Sequence, residues 1–273
     1  MGRVVRIDPL RARIVASGPL ARPDVGAVGN RGVYVTDFWR DEIRRIDPRT
    51  LRVAQSLKLR LPFRFSRRDN AFLPEAVAVG PNAVWVATAR GALARAVPRL
   101  RRVVATVRLP ADAFGDPVGG MAVTDGAVWL AESLAGVYRV DPRTNHVVAR
   151  VKVPLTKGRF DATEVIPCGG SLLVLGARTS GGALTPENDL ARIDVRRNSG
   201  EFVRRLPAGP LGVACGAGSL WVARPRGSTL ERIDPRTGKV IARRRTRIGT
   251  ALTYAGGRLW TAFSDGTVRQ LGK

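Results

Sequence analysis

The sequence predicts an all-β fold, a β-propeller of four-stranded antiparallel blades, on three observations. A short apolar segment, usually with an aromatic at its centre, recurs six times. An Ile-Asp-Pro-Arg-Thr element follows most of these copies. Turn residues divide each interval into four short strands.

The apolar segments are Val33-Tyr34-Val35, Val84-Trp85-Val86, Val128-Trp129-Leu130, Leu172-Leu173-Val174, Leu220-Trp221-Val222 and Leu259-Trp260-Thr261, at intervals of 51, 44, 44, 48 and 39 residues. The second element reads Ile46-Asp47-Pro48-Arg49-Thr50, Val140-Asp141-Pro142-Arg143-Thr144, Ile193-Asp194-Val195 and Ile233-Asp234-Pro235-Arg236-Thr237, and decays to Ala96-Val97-Pro98 in the second repeat. Repeats of this length with four strands each are propeller blades rather than solenoid turns. In the second unit, strand a is Ala76–Val79, strand b Ala83–Ala87, strand c about Leu93–Val97 and strand d Arg102–Leu109. The Asp-Pro-Arg-Thr element falls at the c–d hairpin, where Pro presets φ and the Asp side chain accepts nearby backbone N–H groups. A Trp on strand b fills the wedge between blades.

Six b-strands give six blades in one domain, 1–273. The last repeat supplies only strands a, b and c, and the N-terminus supplies a c-like strand (Val4–Ile7) and a d-like strand (Arg13–Ala16). Residues 13–16 are therefore expected to complete the last blade and close the propeller. The alternative is an incomplete seven-bladed propeller whose first a and b strands lie upstream. Truncating such a closing strand would expose an unpaired edge.

Of the 273 residues, 46 are Lys or Arg and 22 are Asp or Glu, a formal charge of +24. Such a field attracts polyanions non-specifically. The basic residues are spread over all repeats, which argues against a sequence-specific nucleic-acid surface. No run reaches the eighteen or more apolar residues of a membrane helix. The N-terminus lacks the apolar core of a signal peptide, so the chain as written is expected in the cytoplasm. An upstream export or anchor segment would make it extracytoplasmic.

The order Leu220-Trp221-Val222-Ala223 followed by Arg232-Ile233-Asp234-Pro235-Arg236-Thr237-Gly238-Lys239-Val240 resembles the YVTN and streptogramin-lyase-like (virginiamycin B lyase-like) bacterial β-propellers over essentially the whole chain. That superfamily includes lyases, sugar-lactone hydrolases, quinone enzymes and non-catalytic sensors, so the resemblance implies the fold and leaves the function open. The lyase branch uses a general-base histidine near the central channel. The one histidine here, His146, lies at a c–d hairpin on a blade rim, so that role does not carry over. No Ser/His/Asp or Cys/His arrangement is present either.

Cys168 and Cys215 are 47 residues apart, one repeat. Aligning Cys168-Gly169 with Cys215-Gly216 gives equivalent positions that point the same way, beyond disulfide reach. Two free thiols are expected; a disulfide would speak for an extracytoplasmic location.

The long d–a connections (Leu59–Leu73, Leu109–Pro117, Val153–Asp161) and b–c connections (Asp37–Asp41, Ala177–Asn188) share one face, where a rigid scaffold displays its sites. Candidate ligand-binding residues there are Trp39, Arg40, Phe63, Arg64, Phe65, Arg67, Arg68, Asn70 and Arg159, a mixture suited to stacking and anion contact. Ten residues before each central aromatic lie Asp24, Glu75, Gly119, Leu211 and Thr250. Allowing a one-residue deletion in the fourth a–b turn adds Glu164. Sugar-lactone hydrolases of related architecture bind a divalent cation at this level, so Asp24, Glu75 and Glu164 are candidate ligands for Ca²⁺ or Mg²⁺. Otherwise no cofactor is indicated. The sequence thus points to a non-catalytic module binding a protein or small-molecule ligand on its long-loop face. A metal-dependent lyase or hydrolase and a non-specific polyanion binder are the alternatives.

Overall fold

The structure, a computed structural model, describes residues 2–60, 73–88, 91–110, 118–124, 126–132, 136–154, 159–180, 183–206, 212–224, 228–249 and 251–272. It is a six-bladed β-propeller. Blade one consists of β3 (Gly26–Gly29), β4 (Gly32–Asp37), β5 (Glu42–Ile46) and β6 (Val53–Lys58). Blade two is β7 (Pro74–Val79), β8 (Val84–Thr88), β9 (Ala92–Ala96) and β10 (Val103–Arg108). Blade three is β11 (Val118–Thr124), β12 (Ala127–Glu132), β13 (Gly136–Asp141) and β14 (His146–Val151). Blade four is β15 (Arg159–Cys168), β16 (Ser171–Ser180), β17 (Ala183–Asp194) and β18 (Ser199–Leu206). Blade five is β19 (Gly212–Gly216), β20 (Ser219–Arg224), β21 (Thr229–Ile233) and β22 (Val240–Arg245). Blade six has β23 (Ala251–Ala255), β24 (Arg258–Ala262) and β25 (Val268–Leu271). Each is an antiparallel meander in chain order. Two compact units result, residues 1–7 with 14–150 and residues 8–13 with 151–273.

Burial follows strand position. The b-strands are enclosed on both faces, with Tyr34, Trp85 and Trp129 fully buried, whereas d-strand β22 is exposed along nearly its whole length. An arginine on strand c lies over several of the b-strand indoles, Arg95 on Trp85 at 5.6 Å, Arg139 on Trp129 at 5.3 Å and Arg232 on Trp221 at 5.6 Å. At the c–d turns the Asp carboxylate accepts backbone N–H groups, as Asp47 does from Arg49 (2.7 Å) and Thr50 (3.0 Å) and Asp234 from Arg236 (2.8 Å) and Thr237 (3.3 Å). These donors hold Asp8, Asp47, Asp141, Asp194 and Asp234 below the usual carboxylate range. His146 opens d-strand β14 and is exposed, on the blade rim as expected.

Neighbouring blades meet through two repeated contacts. A strand-c arginine donates to a carbonyl in the next blade's c–d turn: Arg95 to Pro142 at 2.7 Å and Arg192 to Arg236 at 2.6 Å. At the end of strand a, a glycine lies beneath a larger residue of the next blade. A Cβ on Gly29 would meet Val79 at 2.4 Å, one on Gly80 would meet Val123 at 3.0 Å, and one on Gly216 would meet Tyr254 at 1.9 Å.

The same seam corrects the cysteines. Cys168 pairs with Ser171 across the a–b turn as Gly216 pairs with Ser219, so the equivalent of Cys168 is Gly216 and Cys215 lies one position earlier. Adjacent strand positions point to opposite sheet faces. The two side chains therefore face each other across the blade four–five seam and form a disulfide, with Cα atoms 5.4 Å apart. It occupies the site that a glycine and a larger residue fill at the seams of Gly29, Gly80 and Gly216.

The N-terminus also departs from expectation. β1 (Gly2–Asp8) and β2 (Arg13–Leu20) form their own two-stranded sheet; β2 pairs with β1, and blade six keeps three strands among the described residues. Arg6 on β1 donates to the Pro48 and Arg49 carbonyls (3.3 Å each), as Arg95 does to Pro142. The hairpin thus packs on blade one as the c–d pair of a preceding blade, with Val4 and Leu20 against Val35 and Ile46. The expected 177–188 loop is mostly strand as well, since β16 and β17 continue as a long hairpin with an irregularity between Ala177 and Thr179.

Candidate binding site

Of the residues expected to bind, the structure gathers Asp24, Trp39 and Glu75. They line a cleft of about 570 Å³ in blades one and two with Arg22, Pro23, Val25 and Phe38. Trp39 is displayed by a 3₁₀ turn, Phe38–Arg40, between strands b and c of blade one. Asp37 is fully buried; its carboxylate accepts the Arg40 N–H at 3.1 Å and the Arg44 guanidinium at 2.5 Å. Asp41 closes the turn with φ of 50°, and its side chain accepts the Leu73 N–H at 2.8 Å. The Lys58 ammonium donates to the Arg40 carbonyl. With its base anchored on several sides, the turn holds Trp39 78% exposed, its ring edge-on to Phe38 at 5.4 Å. Arg40 lies beside it, its guanidinium 4.0 Å from Asp37.

Both carboxylates sit at β-bulges opening strand a. Thr36 bonds to both Asp24 and Val25, and Glu75 falls between the paired positions Pro74 and Ala76. A bulge re-aims a side chain out of strand alternation, which turns both acids toward the cleft. The third acid does not share this position. The fourth a–b turn has the same length as the second, so the register equates Glu75 with Thr163, whose hydroxyl donates to the Leu175 carbonyl at 3.0 Å. The deletion assumed from the sequence is absent. Glu164, one position later, is half-buried, and burial pushes its pKa up to about 7. Among the described residues no group of three or more His, Cys, Asp or Glu forms a metal-holding cluster.

Phe63, Arg64, Phe65, Arg67, Arg68 and Asn70 lie outside the described residues, as does the side chain of Arg159, which opens β15. Sequence reasoning missed Phe38 and Arg22 as cleft residues; an aromatic pair between a buried acid and Asp41 was the available signal.

No helix among the described residues is long and apolar enough to cross a membrane. No protein-family model matches the chain, and comparison with curated proteins gives no match. Solved structures do resemble it. BamB from Moraxella catarrhalis is 16% identical, with a TM-score of 0.59 over 98% of this chain and 75% of that one. The computationally designed Ika8 protein is 12% identical, with a TM-score of 0.58 over 91% and 71%. Kuenenia stuttgartiensis hydrazine synthase is 12% identical, with a TM-score of 0.53 over 94% and 97%. At this level of identity the likeness is one of fold, and it extends to a designed protein and an enzyme alike.

Proposed function

We propose that the chain is a non-catalytic β-propeller binding module of the YVTN/streptogramin-lyase-like type. On this reading it captures a ligand or protein partner at the Trp39 cleft. The carrying observation is a rigidly seated, largely exposed Trp beside two carboxylates, Asp24 and Glu75, in a protein of net charge +24. An aromatic face with neighbouring acids suits a cationic group, an amine or guanidinium, which stacks on the ring while the carboxylates neutralise it. The disulfide between Cys168 and Cys215 supports an extracytoplasmic location for the module. The overall charge also favours non-specific polyanion binding away from the cleft.

Trp39 is the exposed member of five tryptophans, Trp85, Trp129 and Trp260 being buried and Trp221 half-buried. Fluorescence titration with a Gly/Arg peptide therefore reads the cleft directly. Saturable quenching in the wild type, lost in Trp39→Ala, is the expected result. Equal quenching in both proteins, or none in either, would remove the cleft as the binding site.

A further inference from the structure

Five blades carry a fourth strand beyond their third; blade six does not, and β25 is the outer strand of its sheet among the described residues. Among the described residues one edge of β25 thus has no ladder partner, the arrangement to which an extended segment adds by β-augmentation. Arginines surround this edge. Arg269, on β25 itself, and Arg247 both lie against the Phe263 ring, at 5.6 and 4.9 Å. Arg258 donates to the Gln270 side chain at 3.0 Å, and the Arg244 guanidinium comes within 3.8 Å of where a Cβ on Gly272 would stand.

Blade five shows what a fourth strand offers at this level. Its third strand carries the buried Glu231, which accepts from Arg243 of the fourth strand at 2.8 Å. Trp221 pairs with Arg232 and Val222 with Glu231, while Trp260 pairs with Gln270 and Thr261 with Arg269. Arg269 therefore stands where Glu231 stands. A strand laid beside β25 meets an arginine where blade five's fourth strand meets a glutamate, and its complementary residue is acidic.

We propose that β25 is the docking edge for an extended acidic segment of a partner protein. The segment adds as the fourth strand of blade six, with a carboxylate against Arg269. A second copy of this chain is the poorer occupant, because edge-to-edge pairing would bring Arg269 and Arg247 of two molecules of charge +24 together. The site differs from the Trp39 cleft in the residues that form it and in the charge it selects.

The test is fluorescence anisotropy with a labelled peptide of about eight residues alternating Glu and Val, a length matched to one strand. Its controls are the same peptide with two Val replaced by Pro, at unchanged charge, and a Lys/Val peptide. Saturable binding of the Glu/Val peptide is expected, with the proline version weaker by about tenfold because it cannot complete the ladder. Arg269→Glu should weaken binding by a similar factor, while Arg52→Glu, an exposed charge on blade one, should leave it unchanged. Amide exchange on the wild type supplies a reading that needs no variant to fold: the bound peptide should slow exchange at 268–271. Equal affinity for the proline peptide would reduce the interaction to charge alone. Absence of saturable binding, or of protection at β25, would overturn the site. A concentration-dependent dimer that the peptide dissociates would assign the edge to a second copy.

Discussion

Blades one and five bury an ion pair at the same place with the charges exchanged. The register equates Asp37 with Arg224 and Arg44 with Glu231. Asp37 and Arg44 meet at 2.5 Å, Arg224 and Glu231 at 2.6 Å, and both acids are fully buried. What the position between strands b and c requires is a neutral sum, because either charge alone would be stranded out of water. The sign matters only where something else uses it. In blade one the acid on strand b also accepts the Arg40 N–H and so seats the turn that displays Trp39; an arginine there has no acceptor to offer. In blade five the acid on strand c instead meets Arg243 of the outer strand, while burial lowers the pKa of Arg224 against the pull of Glu231.

The largest expected effect comes from breaking one pair. Glu231→Ala leaves Arg224 enclosed beside Arg243, and a loss of about 3–5 kcal/mol in denaturant unfolding is expected. Asp37→Ala should fall at the lower end of that range, since Glu42 remains 3.4 Å from Arg44. The exchange itself can be tested by giving blade five the charges of blade one. Arg224→Asp with Glu231→Arg must also carry Arg243→Ser, because Ser56 stands opposite Arg44 where Arg243 stands opposite Glu231. The triple variant should keep most of the stability that Glu231→Ala loses. If it is as unstable as the single variant, the two sites are not interchangeable and the comparison breaks.

The seams offer a second contrast. At two seams in the first unit a glycine accepts a valine, Gly29 with Val79 and Gly80 with Val123, whereas blades four and five use Cys168 and Cys215. Removing the bond in Cys168→Ala with Cys215→Ala should cost about 2–4 kcal/mol. Cys168→Gly with Cys215→Val copies the valine seams and should recover part of that by refilling the contact. Identical melting of the wild type with and without reductant would show that the covalent bond adds nothing to the packing.

The repeat was legible because each blade keeps its own signals: an apolar b-strand, an Asp-Pro turn, and turn residues between. The predicted strands of the second blade fall within one or two residues of β7 to β10. What was not legible was a shift of a single residue. Aligning Cys168 with Cys215 required a deletion that the fourth a–b turn does not have, and a one-residue slip turns a side chain to the other face. That slip hid the disulfide and placed Glu164, rather than Thr163, beside Glu75. Counting from the turns, where Gly80–Ala83, Cys168–Ser171 and Gly216–Ser219 coincide, gives the true register. The closing strand failed for a different reason. Residues 13–16 form a short β-prone segment that suits an outer strand, but the Asp8 carboxylate accepts the Leu10 and Arg11 N–H groups and closes a local hairpin that pairs β2 with β1.

Glu164 sharpens the contrast at smaller scale, because the equivalent residues of blades one and two are Val25 and Ala76. Its pKa is pushed up to about 7 in the fold against a reference of 4.5. An acid with a raised folded pKa imposes no penalty below its unfolded value and costs stability as pH rises between the two. Glu164→Gln should therefore match the wild type near pH 4 and exceed it at pH 8 by about 1–3 kcal/mol. Equal stability at both pH values would mean that the carboxyl is hydrated in the folded protein.

The smallest effect belongs to the c–d turns, where blade five keeps the aspartate and blade two has lost it. Asp234 accepts the N–H groups of Arg236 and Thr237, and the turn closes four residues on, Gly238 N–H to the Asp234 carbonyl at 2.8 Å. In blade two the hairpin has the same length, Val97 N–H to the Arg102 carbonyl at 3.3 Å, but its inner bond closes three residues on, Leu100 N–H to the Val97 carbonyl at 2.8 Å, and valine suffices. The Asp234 side chain is partly exposed, so water can replace it as an acceptor, and Asp234→Ala should lower the melting temperature less than any change above. Backbone N–H groups hold its folded pKa below the reference of 3.8. Its stabilisation is therefore complete above the unfolded value and fades as pH falls through the folded one. Asp234→Asn keeps an acceptor oxygen without the charge. It should lie between alanine and wild type at pH 7 and converge on the wild type in acid. A melting curve of Asp234→Ala that stays below the wild type by the same margin at pH 7 and at pH 2 would assign the aspartate a role in turn geometry alone, independent of its charge.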